Sequence, residues 1–360
     1  MHDSNNLEES TAVIHHLQVL PQAQPGPISV QGTMATISKK RKLADENFGI
    51  ALYLFAGPNR RSSIGSVLQE LGWKIVEVDI LQGGRGHDLT HKDVQEKLLH
   101  RIRGGEFSLL LLSPPCDTFT RVKFANDWGP KPGRTAEYLR GFPWLVGASG
   151  HNVKLANTLV DFSFKAMLEH LRIPSSMLVL EFPEDLGAIS SGKWKGVRPA
   201  SIFQWPQFEE VMGFPGVVTG GIHQKSFGTD YLKPTRLILR LHGQKLEHFH
   251  AGVPCFDDLG FYTGPIPKGT AEVTLAKTSK HESFRTTGTA AWPWKLCQAL
   301  GRLAHAALGE CRPLREIPGD VKTMLEEGEF DAAGISALED RPYPITSPSE
   351  NFWVGGVGLP

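Results

Sequence analysis

Short apolar runs, each closing on a residue that can do chemistry, set the limits on what this chain can fold into. Ile50-Ala51-Leu52-Tyr53-Leu54-Phe55 runs into Ala56-Gly57, and Lys74 to Ile80 carries Asp79 near its end. Ser108 to Leu112 gives way to Ser113-Pro114-Pro115-Cys116, and Met177-Leu178-Val179-Leu180 ends at Glu181. Such runs suit strands buried on both faces. Helical spacing lies between them, from about Ser62 to Leu71 with Gly72 as its stop, from His91 to Ile102, and from about Val153 to Leu171. Strands and helices alternating at this pace predict an α/β fold with a doubly wound, mostly parallel sheet. Ligands bind such sheets beyond the carboxyl ends of the strands, where Gly57, Asp79, Cys116 and Glu181 all fall.

The flanking segments read differently. Residues 1–46 alternate polar and Pro/Gly-rich pieces and are expected to be a disordered leader. Its Lys39-Lys40-Arg41-Lys42 run is a nuclear-import signal, a phosphate-contacting arm or a solvated charge cluster, so the expected location is nuclear, otherwise cytoplasmic. The core is expected over 47–241, with strand-rich stretches at Val217 to Gly228 and Thr235 to Leu241. A loop-like region, 242–284, follows as a small lobe; 285–311 returns to the core through a helix from about Trp294 to Ala307. Residues 312–360 form an acidic, Pro-rich tail.

Composition removes several function classes. No apolar run approaches a bilayer-spanning length, and the start has no signal-peptide pattern, so a membrane role is not expected. Lys plus Arg equals Asp plus Glu at 38 each, which argues against coating nucleic acid by charge alone but allows a local basic cleft. The 4 cysteines, Cys116, Cys255, Cys297 and Cys311, lack CxxC spacing and suggest free thiols in a reducing compartment. His242, His248, His250 and Cys255 match no strong zinc spacing, and no metal is expected.

Each candidate site residue has a plain structural reading beside a chemical one. Cys116, held on a stiff backbone by two prolines, is a nucleophile or a small buried hydrophobe. Glu181, directly after an apolar strand, is a carboxyl group buried for proton sharing or an acid near a helix start. Asp79 accepts from ribose hydroxyls or forms a turn. The Phe55-Ala56-Gly57 turn is placed for an adenosyl or dinucleotide group, though many strand-to-helix turns hold one glycine.

Taken in chain order from about residue 50 to 308, these motifs resemble the cytosine-carbon-5 DNA methyltransferase family. Leu54-Phe55-Ala56-Gly57 resembles its first cofactor motif, Ser113-Pro114-Pro115-Cys116 its nucleophile motif, and Leu180-Glu181-Phe182-Pro183 its Glu-Asn-Val motif. Lys233-Pro234-Thr235-Arg236-Leu237 resembles its Gln-Arg-x-Arg segment, and Thr287 to Pro293 its closing Gly-Asn-x-x-x-Pro motif. The resemblance implies a Rossmann-like, S-adenosylmethionine-dependent methyltransferase core with 242–284 as a small target-recognition lobe. It implies Cys116, Glu181 and Arg236 as catalytic residues. Phe55, Gly57, Asp79, Ile80, Asp88, Pro115 and Thr289 would line the cofactor pocket.

Several positions depart from the family. The first turn lacks its glycine pair and runs one residue longer to Gly65. Asp117, Phe182 and Thr289 stand where glutamine and two asparagines are usual. This pattern suggests an outlying branch of the viral or mobile-element kind.

The implied partner is DNA, with RNA as the alternative substrate and a catalytically decayed binding module as the alternative function. The Asp117 to Asn152 insertion interleaves Arg121, Lys123, Lys131, Arg134 and Arg140 with Phe124, Trp128, Tyr138 and Trp144. It either contacts nucleic acid, chiefly through Arg121, Lys123 and Arg134, or packs on the core through its aromatics.

Overall fold

The computed structural model of the chain describes residues 49–125, 130–244, 249–271 and 289–310. The expected leader, its basic run and the acidic tail lie outside the described residues, as do Trp128, His248 and Cys311.

The apolar runs form the centre of a seven-stranded mixed sheet, ordered β2-β1-β3-β4-β6-β5-β7. Its first four members are β2 (Lys74–Val78), β1 (Ile50–Leu54), β3 (Leu109–Leu112) and β4 (Met177–Pro183), paired in parallel. β6 (Pro234–Arg240) lies antiparallel between β4 and β5 (Val218–His223), and β7 (His250–Ala251) pairs antiparallel with β5. The α/β class and the mostly parallel sheet are as expected from the alternation. The direction of β6 was not readable from its composition.

Side chains leave a strand alternately to either face, so each run feeds two cores. Leu52, Leu54, Leu110, Leu112, Leu178, Leu180 and Ile238 pack beneath α3 (Lys92–Arg103), α4 (Gly147–Leu171) and α5 (Pro206–Met212). Ala51, Tyr53, Leu109, Leu111, Met177, Val179, Leu237 and Leu239 pack beneath α1 (Ile64–Glu70) and α6 (Trp294–Glu310). Helices thus cover both faces, which is why the strands carry no polar alternation.

Local chemistry sets the boundaries. Ser63 caps α1, its hydroxyl accepting from the Ser66 amide at 3.1 Å, and left-handed Gly72 (φ 89°) turns the chain into β2. β2 stops at Val78 rather than Ile80 because Asp79 caps the short helix α2 (Ile80–Gly83), accepting from the Leu81 amide at 2.9 Å. α4 begins at Gly147, ahead of the expected Val153, since glycines at 147 and 150 dilute the helical pattern. Gly150 is needed there: a Cβ would come within 2.5 Å of the Leu145 carbonyl oxygen.

Within the 242–284 region, the described residues contribute to two sheets. Its β7 extends the main sheet, whereas β8 (Cys255–Phe256) and β9 (Tyr262–Gly264) form their own two-stranded sheet. A bridge between Gly187 and Phe261 ties that hairpin to the loop after β4. Among the described residues no helix is long and apolar enough to cross a membrane.

Candidate active site

The carboxyl ends of β1 to β5 lie along one rim, and the amino end of antiparallel β6 joins them there, His223 pairing with Pro234. This geometry brings Cys116, Glu181, Gln224 and Lys233 together from four chain segments.

Cys116 follows β3 by way of Ser113 and two prolines and opens a 3-10 turn over Asp117–Phe119. It is a half-buried free thiol. Burial pushes it up to about 11, the Glu181 carboxylate adds to the rise, and Lys233 opposes both. The resting group is therefore a protonated thiol at neutral pH. Burial is the larger cause, so a change in the exposure of the sulfur or in the charge beside it would be needed to favour thiolate.

Glu181 is buried in β4, at a register position opposite Leu237. Its Oε1 lies 3.5 Å from the Gln224 side-chain amide and 3.6 Å from Lys233 Nζ. Gln224 is itself fully buried and also donates to Thr235 Oγ1 at 3.2 Å. Lys233 Nζ donates to the Thr289 carbonyl at 2.8 Å, which brings the closing segment to the same corner. The Lys233 backbone sits in the left-handed region (φ 37°), a conformation costing on the order of 1–3 kcal/mol for a side-chain-bearing residue. Pro234 and the Gln224-to-Leu232 backbone bond (2.7 Å) hold it there. Tyr53 completes the floor, buried against Ser113 and 5.9 Å from the Trp292 ring.

The first turn forms a neighbouring feature. Phe55 (φ 62°) and Gly57 (φ 73°) are both left-handed, and the Gly57 amide donates to Asp79 Oδ2 at 2.8 Å. Gln82 donates to the Gly57 carbonyl at 2.7 Å, so the turn, Asp79 and α2 form one braced unit. Ile80 and Leu81 project from it, 54% and 70% exposed. Asp88 stands apart from this unit, its Oδ1 accepting from the Thr90 amide and hydroxyl at 2.9 and 2.7 Å. Beside the nucleophile, a cavity of about 190 Å³ opens between Pro115, Asp117 and Thr118 on one wall and Asn152, Leu155 and Leu159 of α4 on the other.

Three expected site residues do other work. Arg236 faces the opposite side of the sheet from Glu181, since it pairs with Phe182, one register position along. Fully buried, it is ion-paired to Glu184 at 2.8 Å and donates to Thr219 Oγ1 (2.9 Å) and the Gly252 carbonyl (2.6 Å). Its guanidinium is thereby committed to the strand's other face rather than to Cys116 or Glu181. Arg134 is 1% exposed and donates to the carbonyls of Leu139 (2.9 Å) and Val153 (3.2 Å), so no phosphate reaches it. Arg121 clamps the loop after β4 through the carbonyls of Leu186 (3.2 Å) and Ala188 (2.8 Å). Both arginines brace the fold through backbone carbonyls, Arg134 from the interior and Arg121 from a partly buried position. Lys123 is paired with exposed Asp117 at 3.0 Å.

Gln224 and Lys233 were missed as site residues. Gln224 follows β5 and opens a 3-10 turn without any motif. In the sequence Lys233 opens the segment whose expected site residue is Arg236. Its signal was the Lys-Pro pair at a strand start, on the rim where β6 enters. Among the described residues no group of three or more His, Cys, Asp or Glu side chains could hold a metal ion. No protein-family model, curated protein or solved structure matches this chain.

Proposed function

We propose that this chain transfers a methyl group from S-adenosylmethionine to carbon 5 of cytosine in DNA, on a Rossmann-like methyltransferase core. One observation carries the reading: a thiol, a buried carboxyl group and an ammonium meet at the rim of a mostly parallel sheet, in the chain order of the motifs. A lone buried thiol would be inert packing. A thiol whose ionisation is tied to an adjacent carboxylate is a nucleophile that substrate can switch on.

Carbon 5 of cytosine is a weak nucleophile until the ring is activated. Cys116 adds to carbon 6, and the displaced π electrons make carbon 5 electron-rich. Glu181, hydrogen-bonded to ring nitrogen 3 and the exocyclic amine, stabilises that adduct and selects cytosine over thymine. Once carbon 5 has taken up the methyl group, with the donor's sulfur leaving as a neutral thioether, loss of the carbon 5 proton to water would expel the Cys116 thiolate from carbon 6. The base must leave the duplex stack first, at a cost of a few kcal/mol.

The residues at the first turn suit an adenosyl group, which when bound supplies an electrophilic methyl. Asp79 offers carboxylate lone pairs for hydroxyls, exposed Ile80 an apolar face for a purine, and Arg60 and Arg61 cations for a carboxylate. Phe55 and Gly57 shape the turn, while Pro115 and Thr289 stand toward the nucleophile. Asp88, already engaged by Thr90, is the weakest member of this set.

With Arg121 and Arg134 withdrawn, the insertion's contribution to nucleic acid shifts to its aromatics. Phe142 and Trp144 stack at 5.0 Å with Tyr138 packed on their edge, and Trp144 is 64% exposed. Such a shelf can stack a base without reading its sequence. Tritium transfer from labelled S-adenosylmethionine to poly(dI-dC) tests the function. Transfer lost in Cys116→Ala supports it; absent transfer together with absent cofactor binding by calorimetry leaves the binding-module alternative. RNA in place of DNA in the same assay separates the two substrates.

A further inference from the structure

We infer that Gln224 is a positioning residue for Glu181: its side-chain amide ties down one carboxylate oxygen and leaves the other for a ligand that presents an N–H donor. The inference rests on the proposed reading of Glu181 as the group that recognises the exocyclic amine of cytosine, and it needs no contact with Cys116.

Three strands meet at this side chain. Gln224 follows β5 and is fully buried, its backbone N–H donating to the Leu232 carbonyl at 2.7 Å. Its Nε2 donates to Thr235 Oγ1 of β6 at 3.2 Å and to Glu181 Oε1 of β4 at 3.5 Å. Hydrogen-bond chemistry fixes which way the amide points. The Thr235 hydroxyl gives its one hydrogen to the Lys233 carbonyl at 3.0 Å, so toward Gln224 it can only accept. A carboxylate likewise only accepts. Both hydrogens of the amide nitrogen are thus engaged, and a flipped amide would set its oxygen against two acceptors.

The consequence falls on Glu181. Its Oε1 has two donors, Gln224 Nε2 and, at 3.6 Å, Lys233 Nζ, whose closest contact is instead the Thr289 carbonyl at 2.8 Å. Its Oε2 has no hydrogen-bond or ion-pair partner among the described residues, although the residue is only 6% exposed. A buried acceptor without a donor carries a desolvation cost, which a ligand N–H at that oxygen removes. Gln224 Oε1 is likewise buried without a partner. Open acceptors on two neighbouring side chains suit the two hydrogens of an exocyclic amine, and not the carbonyl oxygen that thymine carries at the same ring position.

The test is discrimination at equilibrium by the full chain. Two DNA duplexes differ at one position, which holds either cytosine or pyrimidin-2-one, a base without the exocyclic amine. Both bases stand opposite an abasic site, so neither has to be unpaired. Binding is followed by fluorescence anisotropy in a Cys116→Ala background, where no covalent adduct contributes. Protection of Cys297, 1% exposed, from iodoacetamide reports that each variant is folded.

The parent should bind the cytosine duplex about tenfold more tightly than the pyrimidinone duplex. Gln224→Met, close in size but without the amide, should bring that ratio near one while the pyrimidinone duplex binds as before. Gln224→Asn keeps the amide on a shorter arm and should give an intermediate ratio; it decides the matter if the methionine variant fails to fold. In Glu181→Ala the ratio is already lost, and Gln224→Met should add nothing to it, since one residue acts through the other. A merely structural glutamine would weaken both duplexes alike and keep the ratio, which overturns the inference and leaves the reading of Glu181 in place. A folded parent with no preference for cytosine removes that reading, and this inference with it.

Discussion

At the residue scale, charge and burial decide what the thiol can do. Cys116 is pushed up to about 11, chiefly by burial and further by the Glu181 charge, so little thiolate exists at neutral pH. Glu181→Gln should therefore lower methyl transfer by about 10²–10⁴-fold, the usual size of a proton-sharing contribution, while making the free thiol more reactive. A stopped transfer assay beside an alkylation assay checks the two opposite movements.

His170 is a second residue whose burial has a measurable consequence. Its ring is fully buried with Nε2 2.9 Å from the Met177 carbonyl, and burial pulls it down from 6.5 to about 4. The folded state then binds fewer protons than the unfolded one between those values. Stability from this group is present at neutral pH and lost as pH falls from 6.5 toward 4. Going from pH 7 to pH 5 should cost about 2 kcal/mol in urea unfolding, with His170→Gln flattening that part of the profile. Cys116 and Glu181 were legible as single letters because polar or thiol groups at the ends of apolar runs stand out. Lys233 was not, because its role comes from an antiparallel strand that brings it back to the rim.

At the element scale, β6 joins two functions through its register. One face sets Leu237 and Leu239 into the core beneath α1 and α6; the other carries Arg236 and Arg240. Arg240 donates to Leu171 O (2.9 Å), Ile173 O (2.6 Å) and Ser176 O (2.8 Å), answering carbonyls that the end of α4 leaves open. Arg236 secures the loop after β4 through Glu184, whose carboxyl group burial raises to about 7 despite the ion pair. Arg236→Met strands a buried carboxyl group, so it should cost about 3–5 kcal/mol in denaturant unfolding. Under stabilising conditions the surviving folded fraction should keep its Cys116 alkylation midpoint. A catalytic Arg236 would instead shift that midpoint with little loss of stability.

The segment from Lys233 to Leu237 opens β6, and alternation across the sheet turns Arg236 to the face opposite Glu181. Arg121 and Arg134 follow the same lesson. Basic residues among aromatics read alike whether they face solvent or hold carbonyls inside the fold, and only the coordinates of those carbonyls separate the two.

At the scale of the whole molecule, the alternation of apolar runs and helical spacing was enough to read the sheet's class and the rim at which Gly57, Cys116 and Glu181 lie. It could not reveal that β6 enters backwards between β4 and β5, or that β7 of the 242–284 region completes the main sheet. Those pairings join residues distant in sequence, and no local propensity encodes them. The proposed function depends on that long-range arrangement, since β6 delivers Lys233 while β5 delivers Gln224 to the Glu181 pocket.

The most direct measurement is covalent trapping with a DNA duplex carrying 5-fluorocytosine, incubated with the full chain and S-adenosylmethionine. Fluorine at carbon 5 cannot leave as a proton does, so an adduct at carbon 6 cannot collapse. The account predicts a denaturant-stable complex whose mass is protein plus oligonucleotide plus one methyl group, attached at Cys116 and absent in Cys116→Ala. A folded, cofactor-binding wild-type chain that forms no adduct, or forms it equally well without Cys116, contradicts the account.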